Sequence, residues 1–289
     1  MTRSMRIAIS ALLLIAALPG ASLAQSKKVR KRPTPGTAAA PGSVDPSINS
    51  SRRVLSTWLD DANTPDQGGG SVEMGWSRWN TIGGAETDLP WVDFGYGVTD
   101  RLQLGASASF AHASYTGGSG TSGLGDAYIQ SKYQILDPDY SFLGLAISPL
   151  VEILGNAVAK DPALRVSRVN YALPVTLHHA FENGAVYGTV TYFSRGVASA
   201  GIEAERTLSD RVTIAGLVAY AYATRVYFQG TSGSVVRSRT DVAGEIYYSL
   251  NDAVTVAGNI GRTVSRSNLN AATLSASVSV KIEWKHVSK

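Results

Sequence analysis

From Thr273 to Trp284 the chain alternates with a period of two. Leu274, Ala276, Val278, Val280, Ile282 and Trp284 fall on one face, and Thr273, Ser275, Ser277, Ser279, Lys281 and Glu283 on the other. Successive side chains of a strand point to opposite sides, so this stretch has one apolar face and one polar face. The pattern recurs upstream. Val254, Val256, Gly258 and Ile260 oppose Thr255, Ala257 and Asn259, and Val242, Gly244, Ile246 and Tyr248 oppose Asp241, Ala243, Glu245 and Tyr247. Likewise Val212, Ile214, Gly216, Val218, Tyr220 and Tyr222 oppose Arg211 and Thr213, and Leu102, Leu104, Ala106, Ala108 and Phe110 oppose Gln103, Gly105, Ser107 and Ser109. These runs are about 10–15 residues long, whereas strands in soluble sheets average five or six. A long strand with one wholly apolar face fits a sheet that closes on itself with lipid outside. A mean hydropathy of +0.00 agrees, because the lipid-facing and lumen-facing residues of such a sheet cancel.

The turns point the same way. Thr99-Asp100, Asp137-Pro138-Asp139, Glu182-Asn183-Gly184, Ser209-Asp210 and Asn251-Asp252 are short polar turns. Between them lie longer Gly/Ser/Asn-rich segments: Thr116 to Thr121, Asn156 to Arg165, Arg195 to Ser199, Gln229 to Ser234 and Ser265 to Asn270. A further hairpin from Ser71 to Val98 turns at Gly83-Gly84. Strict alternation of short and long connections is the habit of outer-membrane barrels, with short turns in the periplasm and longer loops outside. At about 40 residues per hairpin the chain holds roughly twelve strands, an even number as bacterial barrels require. A propeller shares the spacing but not the systematic apolar face. The expected fold is therefore all-β: a transmembrane antiparallel up-and-down barrel of about twelve strands over residues 71–285, with a tail at 286–289.

The N-terminus fits export. Arg3 and Arg6 precede an apolar run from Ile7 to Leu18, Pro19 and Gly20 break it, and Ser22-Leu23-Ala24 offers a cleavage site before Gln25. The run is far short of the roughly 20 residues of a transmembrane helix, so residues 1–24 read as a signal peptide. The chain has no cysteine, which excludes a lipoprotein anchor, disulfides, zinc ribbons and thiol chemistry together. Residues 25–70 have the composition of a disordered periplasmic linker, basic and rich in Pro, Ala and Gly, interrupted by the apolar island Val54-Leu55-Ser56-Thr57-Trp58-Leu59. That island reads equally as a helical turn in the barrel mouth or as a loosely ordered segment.

A sequence pI of about 9.2 could suggest nucleic acid, but the charge sits in the wrong place. From Val54 onward there are 17 basic residues against 21 acidic ones, and the excess of positive charge belongs to the leader and linker. A nucleic-acid-binding domain carries a basic patch on its fold, so that partner is excluded. The partners expected are outer-membrane lipids, the barrel-insertion machinery and a small-molecule solute.

Asp61-Ala62-Asn63-Thr64-Pro65, Gly68 to Gly70, Tyr96-Gly97-Val98-Thr99-Asp100-Arg101-Leu102-Gln103-Leu104-Gly105, and Ser122-Gly123-Leu124-Gly125-Asp126 leading to Tyr128, Lys132 and Tyr133 carry a resemblance. Over Asp60 to about Leu136 the chain resembles an outer-membrane family named after the meta-cleavage pathway of phenol degradation, whose members are described as transporters. The resemblance implies an outer-membrane channel or transporter for small solutes, aromatic or hydrophobic compounds among them, and implies no catalytic residue. Trp284 is followed by Lys285-His286-Val287-Ser288-Lys289, a departure from barrels that end on the aromatic residue read during insertion.

Strand parity points Glu73, Asp93, Asp126, Lys132, Glu152, Arg168, Glu203, Glu205, Arg237, Arg239, Asp241, Glu245, Lys281 and Glu283 into the lumen. Both signs are present, so charges can pair in a narrow, partly dry interior where a lone ion is costly. Two readings follow: a polar lining that selects what passes, or a salt-bridged network that fills a barrel of intermediate size. Catalysis is the alternative class. His112 and Ser114 share the outward face near a loop, but side chains two apart on a strand lie about 7 Å from each other, too far for proton relay. His178 is expected inward, His179 outward and His286 in the tail; no spacing suggests a metal site or a cofactor.

Overall fold

The computed structural model describes residues 62–81, 84–115, 118–137, 141–155, 167–223, 238–265 and 272–285. The expected signal peptide, the linker up to Asp61, Gly83, Arg237 and His286 lie outside them.

Thirteen strands form one antiparallel sheet: β1 (Gly70–Thr81), β2 (Gly84–Thr99), β3 (Leu102–Tyr115), β4 (Thr121–Leu136), β5 (Gly144–Ile147), β6 (Leu150–Ile153), β7 (Val169–Phe181), β8 (Gly184–Phe193), β9 (Val197–Ser209), β10 (Val212–Ala223), β11 (Ser238–Asn251), β12 (Val254–Thr263) and β13 (Ala272–Trp284). Apart from β5 and β6, each pairs with its neighbours in sequence, and β1 pairs with β13 from Gly70↔Trp284 to Thr81↔Ala272, so the sheet closes. The short strands β5 and β6 both lie between β4 and β7 and are two halves of one stave, which makes a twelve-stranded barrel. The break between them falls at Ser148-Pro149. Proline has no N–H to give the ladder, but the backbone contacts persist, with Ser131 N donating to Pro149 O and Ser148 N to Pro174 O at 3.1 and 2.9 Å.

The outer wall is apolar. Met74, Phe94, Leu104, Ile129, Leu173, Val218, Ile246, Ile260 and Val278 all stand exposed on it. A continuous apolar belt of this kind does not suit water. Aromatic side chains border it at both ends. Tyr96, Tyr133, Tyr248 and Trp284 lie near the short-turn end, and Tyr171, Tyr192 and Tyr222 near the other, the girdle arrangement of membrane barrels. Trp284 stands 6.1 Å from the Phe94 ring, so the aromatic that closes β13 is part of the first girdle.

The expectation of strictly alternating connections needs correction. The segment read as a loop from Arg195 to Ser199 is mostly strand: β8 turns into β9 through Ser194, Arg195 and Gly196 alone. Gly196 adopts a φ of 85°, open to glycine at little cost, and its N–H donates to Phe193 O at 2.8 Å. A tight turn therefore sits among the longer connections.

Residues 62–69 precede β1 across the short-turn mouth. Ala62 is fully buried, Lys132 Nζ donates to Asn63 O at 3.1 Å, and Gly68 N and Gly97 N exchange hydrogen bonds with Gly97 O and Gly69 O. Gly97 is required by this close approach: a Cβ there would collide with the carbonyl oxygens of Asp66 and Pro65.

Candidate functional site: the inner wall

The inner wall is built by parity, the residues between the exposed apolar positions. Glu73, Asp93, Asp126, Lys132, Glu152, Glu203, Glu205, Arg239, Asp241 and Lys281 are buried on it, and Glu245 and Glu283 are partly buried. Arg168 is exposed and precedes β7, with its carbonyl accepting from Leu154 N at 2.8 Å.

Three charged residues of the wall escape a simple parity reading. Glu86 and Asp88 are buried although Trp91 and Asp93, of opposite parity on the same strand, are buried too. The cause is a bulge: the β2–β3 register jumps between Asp88 and Trp91, so Leu89-Pro90 resets which face the strand turns inward. Arg195, assigned by sequence to a loop, is buried beside Glu152. Without knowledge of the bulge, Pro90 within an alternating run was the available signal.

The registers order these groups into rows. Asp93, Glu73 and Lys281 are direct neighbours across β2, β1 and β13, and Asp93 continues through Ser107 and Tyr128 to Glu152 across β3, β4 and β6. A second row runs Glu205, Ala215, Glu245, Asn259 and Ser277 from β9 to β13. Buried ion pairs among the described residues include Arg195 Nε with Glu152 Oε2 at 3.1 Å and Arg239 Nε with Asp241 Oδ2 at 2.9 Å. Lys281 Nζ meets Glu283 Oε1 at 2.6 Å.

Neutral donors serve many of the carboxylates. Ser279 Oγ donates to Glu73 at 2.6 Å, Tyr128 to Glu152 at 3.2 Å, and Thr263 to Asp241 at 2.6 Å. Tyr187 OH reaches both Glu203 and Glu205, at 3.1 and 2.9 Å. Glu245 accepts from Tyr247 OH and from Asn259 Nδ2, the latter at 2.7 Å. Such donors hold a carboxylate in place without cancelling its charge. Among the described residues the buried wall thus carries nine acids (Glu73, Glu86, Asp88, Asp93, Asp126, Glu152, Glu203, Glu205, Asp241) against four bases (Lys132, Arg195, Arg239, Lys281). Acids outnumber bases there, as they do among the fourteen residues that strand parity assigns to the lumen. Beside it lies an apolar cluster of Tyr128, Leu150, Ala172, Phe193, Leu217 and Ala219, so the wall is not wholly polar.

The histidines distribute as expected by face. His178 is buried, edge-on to Tyr187 at 5.7 Å. His179 Nδ1 lies 2.8 Å from Phe142 O. His112 is exposed, but its partner is Ser122 across β4, at 2.6 Å from Nδ1; Ser114 Oγ donates to Ala85 O instead. No group of His, Asp and Glu fit to hold a metal occurs among the described residues.

No family model and no curated protein sequence matches the chain. Solved structures do. The COG4313 outer membrane channel from Pseudomonas putida F1 superposes with a TM-score of 0.58 at 13% identity, over 78% of this chain and 98% of that one. The KdgM porin in complex with disordered oligogalacturonate gives 0.52 at 10% identity, over 74% and 99%. Outer membrane phospholipase A from Escherichia coli matches at 0.43 and 10% identity, over 77% and 91%, too loosely to bear on chemistry. At these identities the likeness is one of fold: this chain has the closed antiparallel barrel of outer-membrane channels.

Proposed function

We propose that the protein is an integral outer-membrane channel that passes small solutes through a narrow lumen and favours cations over anions. The short-turn end and both termini face the periplasm, the long loops face outward, and no cofactor takes part. The observation that carries the reading is the acidic inner wall, nine buried acids to four bases among the described residues, with many carboxylates held by neutral hydroxyls. Rings of carboxylates attract cations and repel anions in a confined, low-dielectric passage. The oligogalacturonate of the porin complex is an acidic polymer; this wall is unsuited to such a passenger. The apolar cluster around Phe193 and Leu217 offers a flank for aromatic or hydrophobic parts of a solute.

The test is the zero-current potential of the refolded mature protein in a planar bilayer under a KCl gradient, with and without residues 25–61. A potential of the cation-selective sign supports the proposal; an anion-selective sign refutes it. Conductance in the shortened form alone would place the obstruction in the removed tail. Silence in both forms would favour the second reading, a filled structural barrel, which the near-complete burial of Glu152, Glu203, Asp241 and Phe193 supports.

A further inference from the structure

Among the described residues at the long-loop end, Glu86, Asp88, Asp126, Glu152 and Asp241 are buried together with Arg195 and Arg239, and the exposed charged side chains, Arg78, Arg168 and Arg262, are all cationic. At the short-turn end the exposed charges are of mixed sign, with Asp100, Arg101, Glu182, Arg206, Asp210 and Arg211 among them. The exposed charges that strand alternation puts on the outward face of the long-loop end, Arg78 on β1 and Arg262 on β12, are both positive.

One sector of that face also breaks the aromatic girdle. Where β7, β8 and β10 place Tyr171, Tyr192 and Tyr222, strands β1 to β4 place Arg78, Thr87, His112 and Ser122. These four are consecutive register partners, Arg78↔Thr87, Thr87↔His112 and His112↔Ser122, and so form one polar row across four strands. The row is organised. Arg78 Nη1 donates to Thr87 Oγ1 at 3.2 Å and Nε to Asn80 Oδ1 at 3.3 Å, while His112 Nδ1 and Ser122 Oγ stand 2.6 Å apart. These contacts fix the guanidinium side-on to the wall. The stretch of β2 from Thr87 to the girdle residue Tyr96 is ten residues long, and a tilted strand needs about 9–11 residues to cross the hydrocarbon. The row therefore lies at the far membrane interface.

We propose that the Arg78–Thr87–His112–Ser122 row is a binding site for the phosphate of an anionic lipid in the outer leaflet. Arginine presents a planar fork suited to phosphate oxygens, and serine and imidazole groups add neutral donors. The apolar residues below, Phe110 and Leu124, are exposed and face the acyl chains. The site rests on the barrel spanning a membrane with its long loops outside, but not on transport.

The probes are diphosphoryl lipid A, the same lipid without phosphates, and inorganic phosphate, each titrated against the full mature protein in detergent while the thermal unfolding midpoint is followed. Diphosphoryl lipid A is expected to raise the midpoint, and Arg78→Gln to raise the half-saturating concentration about tenfold, the loss of one charged hydrogen-bonding partner. The dephosphorylated lipid is expected to give no rise over that range. An equal rise with it, or an unaltered titration for Arg78→Gln, overturns the proposal. An equal rise with inorganic phosphate at the same concentration makes this a free-anion site and overturns the lipid assignment. Should Arg78→Gln fail to refold, Thr87→Val with His112→Gln carries the same reading, with the same overturning result.

Discussion

Arg195 is the residue whose removal should most clearly expose how the barrel interior is held. It sits in the three-residue turn between β8 and β9, 7% exposed, with Nε 3.1 Å from the carboxylate of Glu152, itself fully buried. Its guanidinium carbon lies 4.9 Å from the Phe193 ring centre. Arg195→Met keeps the length and the stacking on Phe193 but removes the charge. Breaking a buried ion pair from one side costs about 3–5 kcal/mol, because the remaining ion loses its compensation in a dry interior. The Nε approach is an ionic contact rather than a well-aligned hydrogen bond, and Tyr128 also donates to Glu152. The lower end, about 3 kcal/mol, is therefore expected. Urea unfolding of the barrel in vesicles, followed by tryptophan fluorescence, measures the loss. Arg195→Met with Glu152→Gln should recover at least half of it, since the double variant removes both charges of the pair. A single variant within about 0.5 kcal/mol of the parent, the ordinary scatter of surface substitutions, would refute the argument. So would a double variant no more stable than the single one.

Three further outcomes are expected. Gly97→Val places side-chain atoms against the carbonyls of Asp66 and Pro65 and should cost about 1–3 kcal/mol, with proteinase K cutting ahead of Gly70 faster than in the parent. Tyr247→Phe removes a donor from Glu245 but leaves Asn259, so a loss of about 1–2 kcal/mol in the same urea assay is expected. Glu73→Gln with Asp93→Asn neutralises two directly paired acids of the wall and should move the zero-current potential toward zero without lowering the folded yield.

Most of the architecture was legible because a period of two is hard to produce by accident over ten or more residues. The faces of β13 follow the sequence pattern, with Ser275, Ser279 and Lys281 buried opposite exposed Leu274, Val278 and Ile282. What the pattern could not carry is a local change of phase. The bulge at Leu89-Pro90 places both Glu86 and Asp93 inward, and two acids of the wall were lost with it. The small residues Gly196 to Ser199 read as a loop, yet Ala198 and Ser199 are paired on both sides, with Tyr192 and Tyr222 and with Thr191 and Ala221. That misreading hid Arg195. The polar row of Arg78 and its partners was equally hidden, because residues far apart in sequence become neighbours only through register.

The seam between β1 and β13 sets how such a molecule can grow or shrink. Every strand is hydrogen-bonded on both sides because Gly70 meets Trp284 and Thr81 meets Ala272. Removing β13 alone would open two ribbons of bare amides and carbonyls to lipid, each group at a cost of several kcal/mol, and would leave the new ends on opposite sides of the membrane. Lineages of this architecture are thus confined to gaining or losing whole hairpins. Length changes arrive in pairs of staves, and a deletion that stops halfway yields no smaller barrel.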